Sequence, residues 1–405
     1  MEVGIFILKK MKRFALILLA AVAIPSFAQL NGDGYYRVQN VQSGNYVTIV
    51  DNKGEKPSVS TSNIDAYAIN TVNGFENVVS DPGSIIYIEK ESQGYVLKGQ
   101  SMDSYKLTGF YLQIYNSKSA TNAYWAGGVY AGVTKYLFEA YNESFGFGYM
   151  TSGSKNSNGS ARSRDWYILP VTEEDGHYFG LAPELKIGDK YYTTLYTSFP
   201  YQVSEGMKVY YVKRYRVGGD LGPMAEMTEI EDGRVPGDVP VIIECSSNLP
   251  ANNKVTPLTA SVTNNFQNEL KGVYFCNVIR WADDGEPYPD HKNWNTTAYN
   301  PSTMRVLGEV NGKLGFVKAD DLEYLPANKA YLPITEEEDA QPVASSISLV
   351  DAAAFTAGIE SITAEKVVKD KGVYTLTGIK VREGLSTDNL PSGIYVVGGK
   401  KIIVR

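Results

Sequence analysis

Residues Gly34–Val50 read GYYRVQNVQSGNYVTIV, and this stretch decides the fold class. Gly34–Asn40 is aromatic and β-branched, with polar and apolar side chains in alternation, the mark of a half-buried strand. Val41–Asn45 (VQSGN) gathers the small polar residues of a turn. Tyr46–Val50 then returns as a second strand. The same grammar recurs downstream. Ser84–Glu89, Gly94–Lys98, Tyr111–Tyr115, Tyr136–Tyr141 and Phe145–Thr151 all read as strands. Arg164–Val171 (RDWYILPV) closes the series around Trp166. The expected fold class is therefore all-β. One exception stands out: Ile64, Ala68, Ile69 and Val72 recur at near-helical spacing and predict a helix within Ser60–Phe75.

The pattern YYRVQNVQSGNYVTI, with the closing Trp166, resembles the opening and closing strands of β-trefoil domains of the ricin-lectin or fascin-like kind. The resemblance implies a β-trefoil-like domain over residues 29–172. The lectins' Gln-x-Trp signature is absent, so the resemblance implies a fold more than a sugar site.

Residues 173–336 carry a second set of strand signals. They include Tyr191–Tyr196, Met207–Arg214 after the Ser204-Glu205-Gly206 turn, Val235–Glu244, Asn268–Tyr274, Gly312–Lys318 and Leu325–Leu332. Asn311-Gly312 between Gly308–Val310 and Lys313–Phe316 is a strong two-residue hairpin signal. Pro236-Gly237-Asp238 and Pro326-Ala327-Asn328 read as turns that launch buried strands. The order VPGDVPVIIE, NELKG, KLGFVK, LPANKAYL resembles a β-sandwich module common in Bacteroidetes surface proteins, with which no catalytic residues are associated.

Residues 337–357 follow the acidic run Thr335–Asp339 and read as a flexible linker. The tail, residues 358–405, ends in Gly372–Arg405, where Ile394–Val397 and Lys400–Arg405 flank Gly398-Gly399 as a hairpin. This order resembles the C-terminal sorting-type domain of Bacteroidetes secreted proteins, the kind read by a type IX secretion machine. At the other end, Lys9–Arg13 is basic, Phe14–Ile24 is apolar, and Ser26-Phe27-Ala28 fits a small-x-small cleavage site. Residues 1–28 are therefore expected to be a signal peptide, with Met11 as an alternative start. Its apolar run is too short for a comfortable membrane span, and no transmembrane segment is expected in the mature chain. The expected location is the cell surface or extracellular space, with the periplasm as the alternative.

Composition bounds the chemistry. The chain has 405 residues and a net charge of −7, without the basic footprint that nucleic acid requires. It holds only 2 His and 2 Cys, so zinc sites and cysteine–histidine catalysis are starved of side chains, and no cofactor or metal is expected. Asp283-Asp284-Gly285-Glu286 lacks the alternating ligand order of a calcium loop. An exported chain can hold a disulfide, so Cys245 and Cys276 are a candidate pair; the alternative is two separate buried thiols. Adjacent carboxylates at Glu173/Glu174, Asp283/Asp284 and Asp320/Asp321 sit in no distinctive motif, and there is no G-x-S-x-G elbow, P-loop or dinucleotide fingerprint. No enzyme is expected.

The 30 Tyr and 4 Trp point instead to aromatic contact surfaces. Tyr111, Tyr124, Trp125 and Tyr130 form one candidate, with ordinary β-core packing as the alternative. Trp281, Tyr288 and Trp294 form a second in the loop Arg280–Pro301, where the alternative is a loop closing over the sandwich edge. The expected function is a non-catalytic surface or secreted binding protein that holds glycans or cell-envelope components. A structural or assembly protein without a small ligand is the first alternative, and a divergent glycan-active enzyme the second.

Overall fold

The computed structural model describes residues 33–49, 69–92, 94–99, 110–114, 122–130, 133–142, 147–154, 164–174, 176–217, 222–273, 297–323, 325–334, 344–356, 372–375, 379–397 and 400–404. The expected signal peptide, Cys276 and the aromatic loop residues Trp281, Tyr288 and Trp294 lie outside them. The described chain is almost entirely β, as expected. Among the described residues no helix is long and apolar enough to cross a membrane.

The first sheet holds β1 (Gly34–Asn40), β2 (Tyr46–Ile49), β3 (Ile69–Val72), β4 (Ile86–Glu91), β5 (Gly94–Lys98), β6 (Phe110–Ile114), β7 (Asn122–Tyr130), β8 (Val133–Asn142), β9 (Phe147–Ser154) and β10 (Trp166–Pro170). Their order is β10-β1-β2-β3-β9-β8-β7-β6-β5-β4, and β4 also pairs with β1, so the sheet curls back on itself. The opening hairpin forms as the sequence predicts. Asn40 Oδ1 accepts from the backbone N–H of Gln42 at 2.9 Å and of Ser43 at 3.2 Å, and Gly44 takes φ +77°. Val38, Val47, Ile86, Ile88, Leu97, Leu137, Met150 and Trp166 fill the interior. The predicted helix is corrected where it is described. Ile69–Val72 is β3, antiparallel to β2, because the β-branched Ile69, Thr71 and Val72 pair across to Tyr46–Ile49.

Residues 173–350 build two further sheets. The smaller holds β11 (Phe179–Gly180), β14 (Tyr201–Val203), β17 (Arg234–Val235) and β19 (Lys254–Pro257). The larger holds β12 (Leu185–Ile187), β13 (Lys190–Leu195), β15 (Lys208–Arg216), β16 (Met224–Glu229), β18 (Val241–Cys245), β20 (Lys271–Gly272), β21 (Met304–Val310), β22 (Lys313–Val317), β23 (Ala330–Pro333) and β24 (Ser346–Val350), in the order β12-β13-β18-β15-β16-β24-β22-β21-β23-β20. Asn311 and Gly312 take φ of 53° and 77° between β21 and β22, the geometry of a type I′ hairpin turn. Asp238 and Asn328 also take positive φ, one in each turn that launches a buried strand. Cys245 is a free, buried thiol.

The expected linker is corrected as well. β24 lies in the middle of the larger sheet, parallel to β16 and antiparallel to β22. Ile347 and Leu349 are buried there, and residues 352–356 form a short helix. Phe355 of that helix is buried under two guanidinium groups, Arg214 at 4.6 Å and Arg216 at 5.4 Å from its ring centroid. Alternating Ile347 and Leu349 give this short segment one apolar face, and burying it outweighs the entropy a loose linker would keep.

The two units meet in one hydrophobic core. Tyr35, Ile85, Tyr87 and Val171 from the first pack with Phe179, Phe199, Tyr201 and Val241 from the second. The rings of Tyr35 and Phe199 lie 5.4 Å apart. Arg37, fully buried, crosses this seam. It donates to the carbonyl oxygens of Val78 (2.9 Å), Val79 (3.1 Å), His177 (2.9 Å) and Tyr178 (2.9 Å) and to Ser84 Oγ. All five guanidinium N–H groups are thereby used. Burial lowers its pKa to about 10, against the opposing pull of Asp81.

The tail forms a small sheet of β25 (Gly372–Thr375), β26 (Lys380–Glu383), β27 (Gly393–Val397) and β28 (Lys400–Val404), ordered β26-β25-β27-β28. Val397 sits opposite Lys400 in an antiparallel pair, and the predicted turn residues Gly398 and Gly399 lie outside the described residues.

Candidate functional site

The first aromatic candidate lies on two neighbouring strands. Tyr111 lies on β6, and Tyr124, Trp125 and Tyr130 lie on β7. Trp125 pairs with Leu112, and Ala123, two residues before it, pairs with the fully buried Trp166. Tyr124 pairs with Gln113 and Tyr111 with Ala126. Tyr130 lies beyond a register shift at Gly127/Val129, opposite Val133. The side chains of all four lie outside the described residues.

A different site emerges on β8. Tyr141 is 62% exposed, the most open aromatic side chain among the described residues. Glu139, two residues earlier, shares its face at roughly 7 Å along the strand. Glu139 gathers three polar side chains. Oε1 accepts from Asn45 Nδ2 at 2.8 Å and Thr71 Oγ1 at 2.6 Å, and Oε2 accepts from Ser43 Oγ. Asn73 Nδ2 extends the network to Asn45 Oδ1 at 3.0 Å. The β1–β2 turn, β3 and β8 therefore each contribute, and the sheet order makes them neighbours through β9.

Gly148 of β9 makes this possible. It sits opposite both Tyr141 and Thr71, so β9 places no side chain directly across from the ring. A Cβ placed there would lie 2.1 Å from Thr71 Oγ1 and 3.1 Å from Glu139 Oε1. Any larger residue would displace the Thr71–Glu139 hydrogen bond.

Chemically, the site offers one ring face beside paired acceptors and donors. A carboxylate has about four lone-pair directions and a primary amide two N–H groups. Glu139 uses three of its directions here and Asn45 one N–H, so acceptor and donor capacity remain side by side. That combination suits adjacent hydroxyl groups, while the ring suits an apolar C–H face. Among the described residues no group of three or more His, Cys, Asp or Glu converges to hold a metal ion.

Sequence reasoning placed Tyr136–Tyr141 on a strand but did not single out Tyr141 or Glu139. The signal was present in SGN at 43–45 and in the alternation of Glu139 and Tyr141, but their meeting depends on the β2–β3–β9–β8 order. The chain matches no protein-family model and no curated protein.

Proposed function

We propose that this is an exported, non-catalytic binding protein of a Bacteroidetes-type cell surface, whose first β unit holds glycans through Tyr141 and the Glu139 network. The observation that carries this reading is the exposed Tyr141 ring set beside Glu139, Asn45 and Ser43. The pairing of β1 with both β4 and β10 supports a trefoil-like first unit, as does Trp166 buried on the closing strand. The separate four-stranded terminal sheet supports a sorting-type tail.

The test is a glycan array probed with the mature chain, followed by titration of each hit. Tyr141→Ala and Glu139→Gln should each weaken binding about tenfold or more, since a hydrogen bond to a charged group contributes about 1.5–3 kcal/mol. Tyr141→Ala should leave the melting temperature almost unchanged, because the ring is mostly in solvent. Absence of any glycan binding at high micromolar concentration would overturn the reading. One observation favours a structural or assembly role instead: Ile379, Val381, Leu385, Ile394 and Ile403 are all exposed on the terminal unit, and Ile394 pairs directly with Ile403.

A further inference from the structure

The seam between the two β units holds a groove of about 320 Å³, at the small end of the usual range for ligand sites. Three segments far apart in sequence build it, and each is fixed by the fold. The turn at 76–82 is tied to the second unit by Gly180 N–H donating to Val79 O at 3.0 Å and by Ser80 Oγ donating to Gly180 O at 2.6 Å. Residues 181–184 follow directly from β11. The turn at 327–329 is held by Asn328 N–H donating to Val273 O at 2.7 Å and by Tyr196 N–H donating to Asn328 O at 2.8 Å.

The lining has two characters. Pro82, Leu181, Pro183 and Leu195 give an apolar wall. Glu76, Asn77, Glu184 and Lys329 give hydrogen-bonding groups of both kinds. Lys329 Nζ lies 2.9 Å from Glu184 Oε1 and donates to Thr193 Oγ1 at 2.8 Å, so two of its three N–H directions are used. Asp81 also borders the groove, but its carboxylate accepts from Thr48 Oγ1 at 2.7 Å and Gly83 N–H at 2.8 Å and offsets the buried Arg37 charge. A strongly charged ligand would have to compete with the Lys329–Glu184 pair or with Arg37. A neutral ligand rich in hydroxyls would not.

We propose that this groove is a second subsite for a neutral hexose unit, its C–H face on Pro82, Leu181, Pro183 and Leu195 and its hydroxyls on Glu76, Asn77, Glu184 and Lys329. The subsite rests on the glycan-binding reading and extends it to the junction of the two β units. A protein with two such positions can hold two points of one polysaccharide.

The experiment is calorimetric titration of the mature chain with the best neutral oligosaccharide from the array, with spermidine and inorganic phosphate as charged probes. Two sites per chain are expected, with no binding of either charged probe. Ala182→Trp, at an exposed position of the groove, should remove one site and leave the other. Glu76→Gln, an exposed substitution that disturbs no packing, should weaken the same site about tenfold. Tyr141→Ala should remove the complementary site. A stoichiometry of one that Tyr141→Ala abolishes and both groove variants leave intact would sink the groove while keeping the glycan reading. Tight binding of spermidine or phosphate at the groove would overturn its assignment to a neutral sugar. If the unaltered chain binds no glycan, both readings fall together.

Discussion

Arg37 and Tyr201 show how differently two buried polar side chains can be housed. Every Arg37 N–H meets an acceptor, whereas the Tyr201 hydroxyl, fully buried, meets none among the described residues. An unsatisfied buried hydroxyl carries a desolvation penalty of about 1–3 kcal/mol. Tyr201→Phe should therefore raise stability by about 1 kcal/mol, read as a higher urea midpoint at unchanged slope. A lower midpoint would mean that the hydroxyl has a partner. At this scale the sequence is least informative. In GYYRVQN the alternation makes Arg37 look like a solvent-facing residue. Its acceptors come from about 40 and 140 positions away, and no local pattern announces them. Glu139 is similar: its partners Ser43, Asn45 and Thr71 become neighbours only when β9 lies between β3 and β8.

Elements fared better where their chemistry is local. The opening hairpin and the Asn311-Gly312 turn were legible, because positive φ at Gly or Asn is set within a few residues. β24 was not. Ser346–Val350 follows an acidic run and is only one short alternation, and its partners on β16 lie about 120 residues earlier. The helix predicted across Ser60–Phe75 failed at β3 for a related reason. Apolar spacing over so few residues fits two periods, and the antiparallel partner decides between them. The docking of β24 makes a specific prediction. Phe355→Ala removes a buried ring and the platform for Arg214 and Arg216, and should cost about 3–5 kcal/mol in chemical unfolding. An effect below about 1 kcal/mol would mean that 346–356 adds little to the fold.

For the whole molecule, the all-β class was readable, while the core that joins Tyr35 to Phe199 was not, since it depends on residues far apart in sequence meeting. Burial of tyrosines and of Cys245 sets a pH response. Burial pushes the Tyr192 and Tyr196 phenols up to about 12 from 10, and the Cys245 thiol up to about 12 from 9. Burial drives Tyr35 and Tyr201 higher still. Between the unfolded and folded values the native state binds more protons, so stability falls as pH rises through that window. The urea midpoint should hold up to about pH 9 and then drop steeply toward pH 12, together with delayed phenolate absorbance; a flat midpoint across this range would refute it. The central place of β24 also has a consequence for synthesis. A chain made from its N-terminus presents β16 and β22 before the strand that joins them. At ~5–20 residues per second, the roughly 30 residues from β22 to β24 take roughly 2–6 s, during which both edges stand open. Unpaired edges recruit other strands. A nascent chain of this protein therefore has a timed interval of aggregation risk, which a holdase chaperone acting before residue 350 emerges would be expected to cover.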